Sequence, residues 1–108
     1  MRKLLAGVLV SALFSTSAQA GDFDYNAFCM KMSEIAESTM TLRQYNKTIA
    51  EMIKENNEYA ESDWLKDTLM VYTKEAYARP LRLSDEVKKI EINEFATKKY
   101  FDCLGVYE

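Results

Sequence analysis

Two cysteines and the absence of histidine limit the chemistry open to this chain of 108 residues. Cys29 and Cys103 are the only cysteines, so they form neither a C-x-x-C redox motif nor a cluster of zinc ligands. A serine or cysteine nucleophile needs a base, most often histidine, and the sequence contains none. We therefore predict no catalytic residues, no metal site and no cofactor.

Paired carboxylates are the remaining groups that could perform acid–base chemistry. Glu34 with Glu37, and Glu91 with Glu94, each lie one helical turn apart. Such pairs on an acidic, lysine-rich surface are normally solvated. An enzyme that uses them is therefore the least favoured interpretation. The sequence also lacks a calcium-binding loop, a phosphate loop and a dinucleotide fingerprint.

The first 20 residues have the pattern of a secretory signal peptide. A positively charged start precedes an apolar run over 4–14, which is too short to span a bilayer. An Ala-Gln-Ala cleavage site then ends at Ala20. Cleavage before Gly21 would leave residues 21–108 as one periplasmic or secreted domain without a stable membrane anchor.

The charge balance predicts what kind of partner the protein can have. Loss of Arg2 and Lys3 with the signal peptide would change the formal net charge from −3 to −5, because every acidic residue follows residue 20. General nucleic-acid binding needs a concentrated basic face and is therefore not expected. We expect the partner to be a protein, and an acidic domain favours a basic one.

Two cysteines in a short exported chain predict one intramolecular disulfide. A loop of about 75 residues between Cys29 and Cys103 would gain about 4.5 kcal/mol in the chain-entropy model. Stability for a domain of this size is typically about 5–15 kcal/mol, so the bridge would supply a large share.

The rest of the sequence predicts an all-α fold. Helix-favouring residues dominate and strand-like alternation is almost absent. We predict a compact bundle of four helices, one of them short, closed by the disulfide between the first and last helices. The expected helices cover 24–43, 49–56, a third segment from 63 until Pro80 stops it, and 85–104. Between them we expect Tyr45-Asn46-Lys47 to form a turn and 56–61 to form a polar loop. We expect Gly105 to end the last helix as a left-handed C-cap. The expected N-caps are Asp22 or Asp24, Thr48 in a capping box with Glu51, Ser62 and Ser84.

Helical phase places both cysteines on apolar faces. In the first helix the apolar residues recur at three- and four-residue spacing, and Cys29 lies within their stripe. In the last helix one face at 100° per residue contains Ile92, Ala96, Tyr100 and Cys103. The two stripes can meet, so the bridge is geometrically sensible.

The last helix carries a second apolar line, Val87, Ile90 and Phe101, opposite the first. Either this helix is central and contacts neighbours on both sides, or the line is a surface for a partner or for a homodimer. In the third helix we expect Trp64 and Val71 to widen the buried face.

A compact basic and aromatic group surrounds the Pro80 corner. Tyr77, Arg79 and Arg82 are of the types enriched among interface anchors, which makes them candidate partner-binding residues. The alternative is that Arg79 serves the end of the third helix, or that these side chains are simply exposed.

The segments 36–44 and 76–80, together with Phe95, Tyr100 and Cys103, resemble a family of small exported helical proteins with one terminal-to-terminal disulfide, common in proteobacteria and their phages. Tyr45-Asn46 stands where the family pattern has a glycine turn. Most members have no assigned function, so the resemblance implies fold and compartment only. Phage-encoded periplasmic lysozyme inhibitors, periplasmic immunity proteins and periplasmic acid-stress chaperones have similar outlines.

The favoured hypothesis is a non-enzymatic periplasmic interaction protein that inhibits a cell-wall lytic or toxin enzyme. Many lytic enzymes are basic, so charge complementarity would speed association. The alternative is an acid-stress periplasmic chaperone. Protonation of the carboxylates would take the net charge from −5 to about +12, and the resulting repulsion could loosen the fold.

Overall fold

The structure, a computed structural model, describes residues 23–107, with side chains described as far as Gly105. This part of the chain consists of helices and short connections, without a strand. The helices are α1 (Tyr25–Gln44), α2 (Ile49–Tyr59), α3 (Asp63–Ala78) and α4 (Asp85–Tyr107). The predicted all-α bundle with one short helix is confirmed. None of these helices combines the length and the hydrophobicity that a bilayer crossing requires.

The helices begin at the side chains that the sequence predicts. Each cap oxygen accepts a hydrogen bond from the backbone N–H three residues later, which satisfies a donor that the helix leaves free. The four caps are Asp24, Thr48, Ser62 and Ser84. Glu51 also accepts from the Thr48 N–H at 3.1 Å, which completes the predicted capping box. Asn46 forms the predicted turn with φ 76°.

Two helices extend beyond their predicted ends. α2 continues past Asn56 to Tyr59 because Asn56 is buried and donates to Thr73 Oγ1 of α3 at 2.8 Å. This tertiary bond outweighs the turn preference of asparagine. α4 continues through Gly105, so the predicted left-handed C-cap is wrong. Glycine forms a left-handed C-cap only when it adopts a positive φ, and Gly105 instead keeps the helical conformation.

α1 and α4 form a long antiparallel pair. The Cys29–Cys103 disulfide joins them near one end, and Lys88 Nζ donates to the Gln44 carbonyl at 2.6 Å near the other. α3 lies against this pair, and α2 packs against α3. The core between α1, α3 and α4 contains Met32, Ala36, Met40, Tyr72, Ala76, Ile92 and Phe95. Burial of a side chain the size of phenylalanine contributes roughly 2–3 kcal/mol.

The buried face of α3 is narrower than the sequence predicts. Trp64 is 54% exposed and Val71 is 50% exposed, although both were expected in the core. The neighbouring helices cover only the arc of α3 that contains Leu69, Thr73 and Ala76. Trp64 therefore has one side against the Phe28 ring, with centroids 5.9 Å apart, and its other side in water.

The predicted disulfide is confirmed. The Cα atoms of Cys29 and Cys103 are 5.6 Å apart, within the usual range for a bridge, and the residues are separated by 74 positions. Cys29 is fully buried, and Cys103 packs against the core at its edge. The bridge therefore closes the α1–α4 pair at the end where α4 finishes.

Replacing Cys29 and Cys103 with alanine should lower the free energy of unfolding by about 3–4.5 kcal/mol, because the unfolded chain regains the entropy that the loop removes. Urea unfolding followed by circular dichroism measures the change. Reductant should bring the wild-type protein to a similar stability and leave the double variant unaffected. An unchanged unfolding midpoint in the double variant would show that the bridge contributes nothing.

Candidate functional site

The connection between α3 and α4, residues 79–84, is organised around one buried carboxylate. The side chain of Glu91 is only 5% exposed. It accepts from Arg79 Nη1 at 2.6 Å and from Arg82 Nε at 3.0 Å. Burial alone would raise the pKa of Glu91, but hydrogen bonds and positive charge from Arg79 and Arg82 hold it below the ordinary value of 4.5. The Glu91 carboxylate is therefore negatively charged and holds the α3–α4 connection through Arg79 and Arg82.

Gln44 at the end of α1 binds the same connection through its side chain. Its Nε2 donates to the Pro80 carbonyl at 3.0 Å, and its Oε1 accepts from the Arg82 N–H at 2.9 Å. Lys88 Nζ adds a donor to the Arg82 carbonyl at 2.6 Å. Because Gln44 is fully buried, these bonds satisfy polar atoms of its side chain that water cannot reach.

The three side chains predicted around Pro80 thus have partners within the protein. The Tyr77 hydroxyl donates to the Lys47 carbonyl. The guanidinium of Arg43 lies 5.0 Å from the Tyr77 ring centre, and that of Arg79 lies 5.3 Å from the Phe95 ring centre. Tyr77, Arg79 and Arg82 therefore join helices together.

The two carboxylate pairs have different surroundings. Glu91 is buried and ion-paired, whereas Glu94 is exposed one turn later, so these two do not share a cleft. Glu34 and Glu37 are both exposed on α1. Among residues 23–107, no three Asp, Glu or Cys side chains come together as a group that could hold a metal ion.

The second apolar line of α4 faces solvent. Val87 is 40% exposed, Ile90 54% and Phe101 62%, and Leu83 just before the helix is 99% exposed. Within residues 23–107, α4 therefore contacts its neighbours on one side only. Of the two interpretations of this line, the one that places α4 in the centre of the bundle is wrong.

A groove of about 360 Å³ lies between α1 and α2. Its apolar floor includes Ile35, Met52 and Leu69, one side chain from each of three helices. Glu34 stands at its α1 side, and Tyr59 closes the α2 side. The groove exists because α2 packs on α3 rather than on α1.

Negative charge is concentrated beside this groove. Residues 49–67, which we call the acidic segment, carry six carboxylates and two lysines, and all six carboxylates are exposed. Residues 23–48 contain three acidic and three basic residues, and 68–107 contain six acidic and seven basic residues. The net negative charge of the described chain is therefore confined to α2, the loop after it and the first five residues of α3.

Helical periodicity places Ile35 and Met52 on the apolar faces of α1 and α2, but it does not identify the groove. The distance between two helices depends on tertiary packing, which helical periodicity does not determine. The acidic segment, however, could have been found by summing charge along the chain. The cleavage site between Ala20 and Gly21 lies outside the described residues.

Glu91→Gln should lower the free energy of unfolding at neutral pH by about 2 kcal/mol, because it leaves Arg79 and Arg82 without their anion. The partial exposure of both arginines keeps this below the value for a fully buried pair. Glu94→Gln, at an exposed position on the same helix, is the matched control and should change stability by no more than about 0.5 kcal/mol. Equal effects of the two substitutions would contradict the role assigned to Glu91.

The stability difference between wild type and Glu91→Gln should depend on pH. Because the folded-state pKa of Glu91 is lowered, its contribution is complete above the ordinary value of 4.5 and is lost as pH falls through the folded-state value. Urea unfolding of both proteins at neutral pH and at about pH 3 should show a smaller difference in acid. A difference that stayed constant or grew in acid would contradict this.

Comparison of the chain with protein-family models, with curated proteins and with solved structures gives no match. The resemblance of segments 36–44 and 76–80 to small exported helical proteins therefore stays a prediction.

Proposed function

We propose that the protein is a non-enzymatic periplasmic binding domain that inhibits a basic wall-degrading or toxin enzyme through the α1–α2 groove. The observation that carries this proposal is the coincidence of the groove with the acidic segment. The groove and the acidic segment share α2, with Met52, Glu55 and Tyr59 in the groove lining, so a basic partner bound in the groove would lie beside the part of the domain that carries its net charge.

The charge distribution supports recognition of a cationic surface. Clustered charge of one sign steers an oppositely charged partner and raises the association rate at low ionic strength. The acidic segment supplies such a cluster, while charges in the rest of the described chain nearly cancel. Steering would therefore bring a basic enzyme to α2 rather than to α4.

The surface beside the groove suits lysine and arginine side chains. Tyr59 is 63% exposed at the groove, and Trp64 is 54% exposed within the same acidic segment. Exposed aromatic rings attract cations, and tyrosine, tryptophan and arginine are the most frequent interface anchors. The apolar floor below Tyr59 would receive the aliphatic part of such a side chain.

The predicted compartment agrees with this role. A disulfide that links the two ends of the domain persists in an oxidising environment such as the periplasm. Wall-degrading enzymes act in that compartment, so an inhibitor exported there would meet its target.

A second candidate, an acid-stress chaperone, has one specific observation in its favour. Lys99 is buried on α4, and its ammonium pairs with Glu75 and Asp102 while lying 5.5 Å from the Tyr72 ring centre. The hydrogen bond from Lys98 and the charge of Lys99 lower the pKa of Asp102 against the opposing effect of burial. Protonation of these carboxylates would leave a buried cation unpaired between α3 and α4.

Inhibition of a basic lysozyme should saturate at one molecule per enzyme and should be lost in Ser38→Trp, because Ser38 is exposed on α1 and lines the groove. Asn93→Trp, at an uncharged and exposed position on α4 outside both the groove and the acidic segment, should inhibit as the wild type does. The measurement is residual turnover of cell-wall substrate against inhibitor concentration. Wild-type protein without inhibitory activity, or equal inhibition by both variants, would remove the support for this site.

A charge reversal separates electrostatic steering from the fit of the groove, when the association rate is followed as the onset of inhibition. Glu34→Lys should slow association about tenfold at low salt and less at high salt, whereas Glu86→Lys makes the same change of net charge on α4 and should have little effect. Equal slowing by both variants would indicate a response to net charge alone.

The chaperone alternative predicts an acid transition. Lowering the pH from about 7 to about 2 should remove the near-ultraviolet circular dichroism signal while retaining helix, and the exposed apolar surface should then suppress aggregation of an unfolded client. An unchanged near-ultraviolet spectrum across this range would contradict it.

A further inference from the structure

The solvent-facing side of α4 has a pattern of its own. We define the outward face of α4 as Val87, Ile90, Glu94, Thr97, Lys98 and Phe101, all of which are exposed. Val87, Ile90, Glu94, Thr97 and Phe101 are spaced alternately by three and four residues, which is the seam of a helix that pairs with another helix. The side chains of the seam are exposed to solvent in the described chain, and α1 borders the seam at Thr97, which shares a pocket with Met30 and Ser33.

The outward face is complementary to itself when one copy is reversed. Along the chain, it presents an apolar residue, a carboxylate, an ammonium and an apolar residue, at Ile90, Glu94, Lys98 and Phe101. In a second copy that runs in the opposite direction, Phe101 lies opposite Ile90 of the first copy, and Lys98 lies opposite Glu94. An antiparallel copy therefore sets each carboxylate beside an ammonium and each apolar end beside the other.

We propose that two copies of the protein associate through the outward faces of α4, antiparallel to each other, about a twofold axis between Glu94 and Thr97. In this register Ile90 of each copy packs against Phe101 of the second copy. Glu94 of each copy lies beside Thr97 and Lys98 of the second copy. A twofold axis makes each of these contacts occur twice, as in an isologous dimer.

Charge favours a second copy as the occupant of this face. The acidic segment lies on α2 and the start of α3, outside this face, so the contact does not bring the two net negative regions directly together. The ends of the outward face are apolar, and its only charges are Glu94 and Lys98, which cancel within one copy. An acidic partner would bring a like charge to Glu94, and a basic partner would bring one to Lys98. An antiparallel second copy pairs both residues with opposite charges.

The size of the contact sets its strength. Val87 and Phe101 are separated by about 21 Å along the helix axis at 1.5 Å per residue. A contact of this length lies at the small end of specific interfaces, so we expect a weak dimer that dissociates on dilution. Because the α1–α2 groove is formed by other helices, both grooves stay open in the dimer.

Sedimentation equilibrium over a concentration series up to about 1 mM measures the association. The wild type should dimerise on concentration, and Ile90→Glu should stay monomeric because it places an unpaired carboxylate against Phe101 of the second copy. Val71→Glu makes the same kind of change at a half-exposed position on α3 and should dimerise as the wild type does. A monomeric wild type at the highest concentration, or an Ile90→Glu dimer of wild-type strength, would overturn the proposal.

Mixing two charge variants tests the register. Glu94→Lys leaves only cations on the outward face and Lys98→Glu leaves only carboxylates, so each alone should dimerise at least tenfold more weakly than the wild type. An equimolar mixture should recover dimers, because every cross-chain contact then joins opposite charges. Lys98 also pairs with Asp102 at 3.0 Å on its own helix, and circular dichroism of each variant alone checks that loss of this pair leaves the fold intact. Failure of the mixture to associate would overturn the antiparallel register.

Discussion

The antiparallel pairing of α1 with α4 is the constraint on which the other elements depend. It is fixed covalently at one end by Cys29–Cys103 and by buried polar contacts at the other, where Gln44 and Glu91 hold the α3–α4 connection. These two ends act differently. The disulfide stabilises mainly by limiting the unfolded chain, whereas the Glu91 cluster specifies one folded arrangement and loses its effect in acid. Between them, Phe95 and Met40 fill the core against α3.

This arrangement leaves two surfaces with different properties. α2 is attached to α3 through contacts such as the Asn56–Thr73 hydrogen bond and stands apart from α1, which opens the groove beside the acidic segment. α4 lies at the edge of the bundle and exposes an apolar seam with one carboxylate and one ammonium. A dimer through α4 would carry two grooves, and simultaneous engagement of both would raise the avidity for an enzyme attached to a large surface such as the cell wall.

Local chemistry predicted much of the fold. The caps at Thr48, Ser62 and Ser84 were correct because each depends on contacts within four residues. The predicted ends of α2 and α4 were wrong because Asn56 is held by a bond to another helix and Gly105 keeps the helical conformation. Glu91 was expected to be solvated, yet it is buried with opposite charges, as is Lys99. Such pairs form between helices and leave no periodic signal in the sequence.

The central claim is that a basic wall-degrading enzyme binds at the α1–α2 groove. Titration of isotope-labelled protein with a basic lysozyme, followed by backbone amide chemical shifts, locates the contact directly. The account predicts saturable shifts at groove residues such as Glu34, Ser38 and Tyr59 and along the acidic segment, with the outward face of α4 unaffected. Shifts confined to the outward face of α4, or no saturable shift at any described residue, would contradict it.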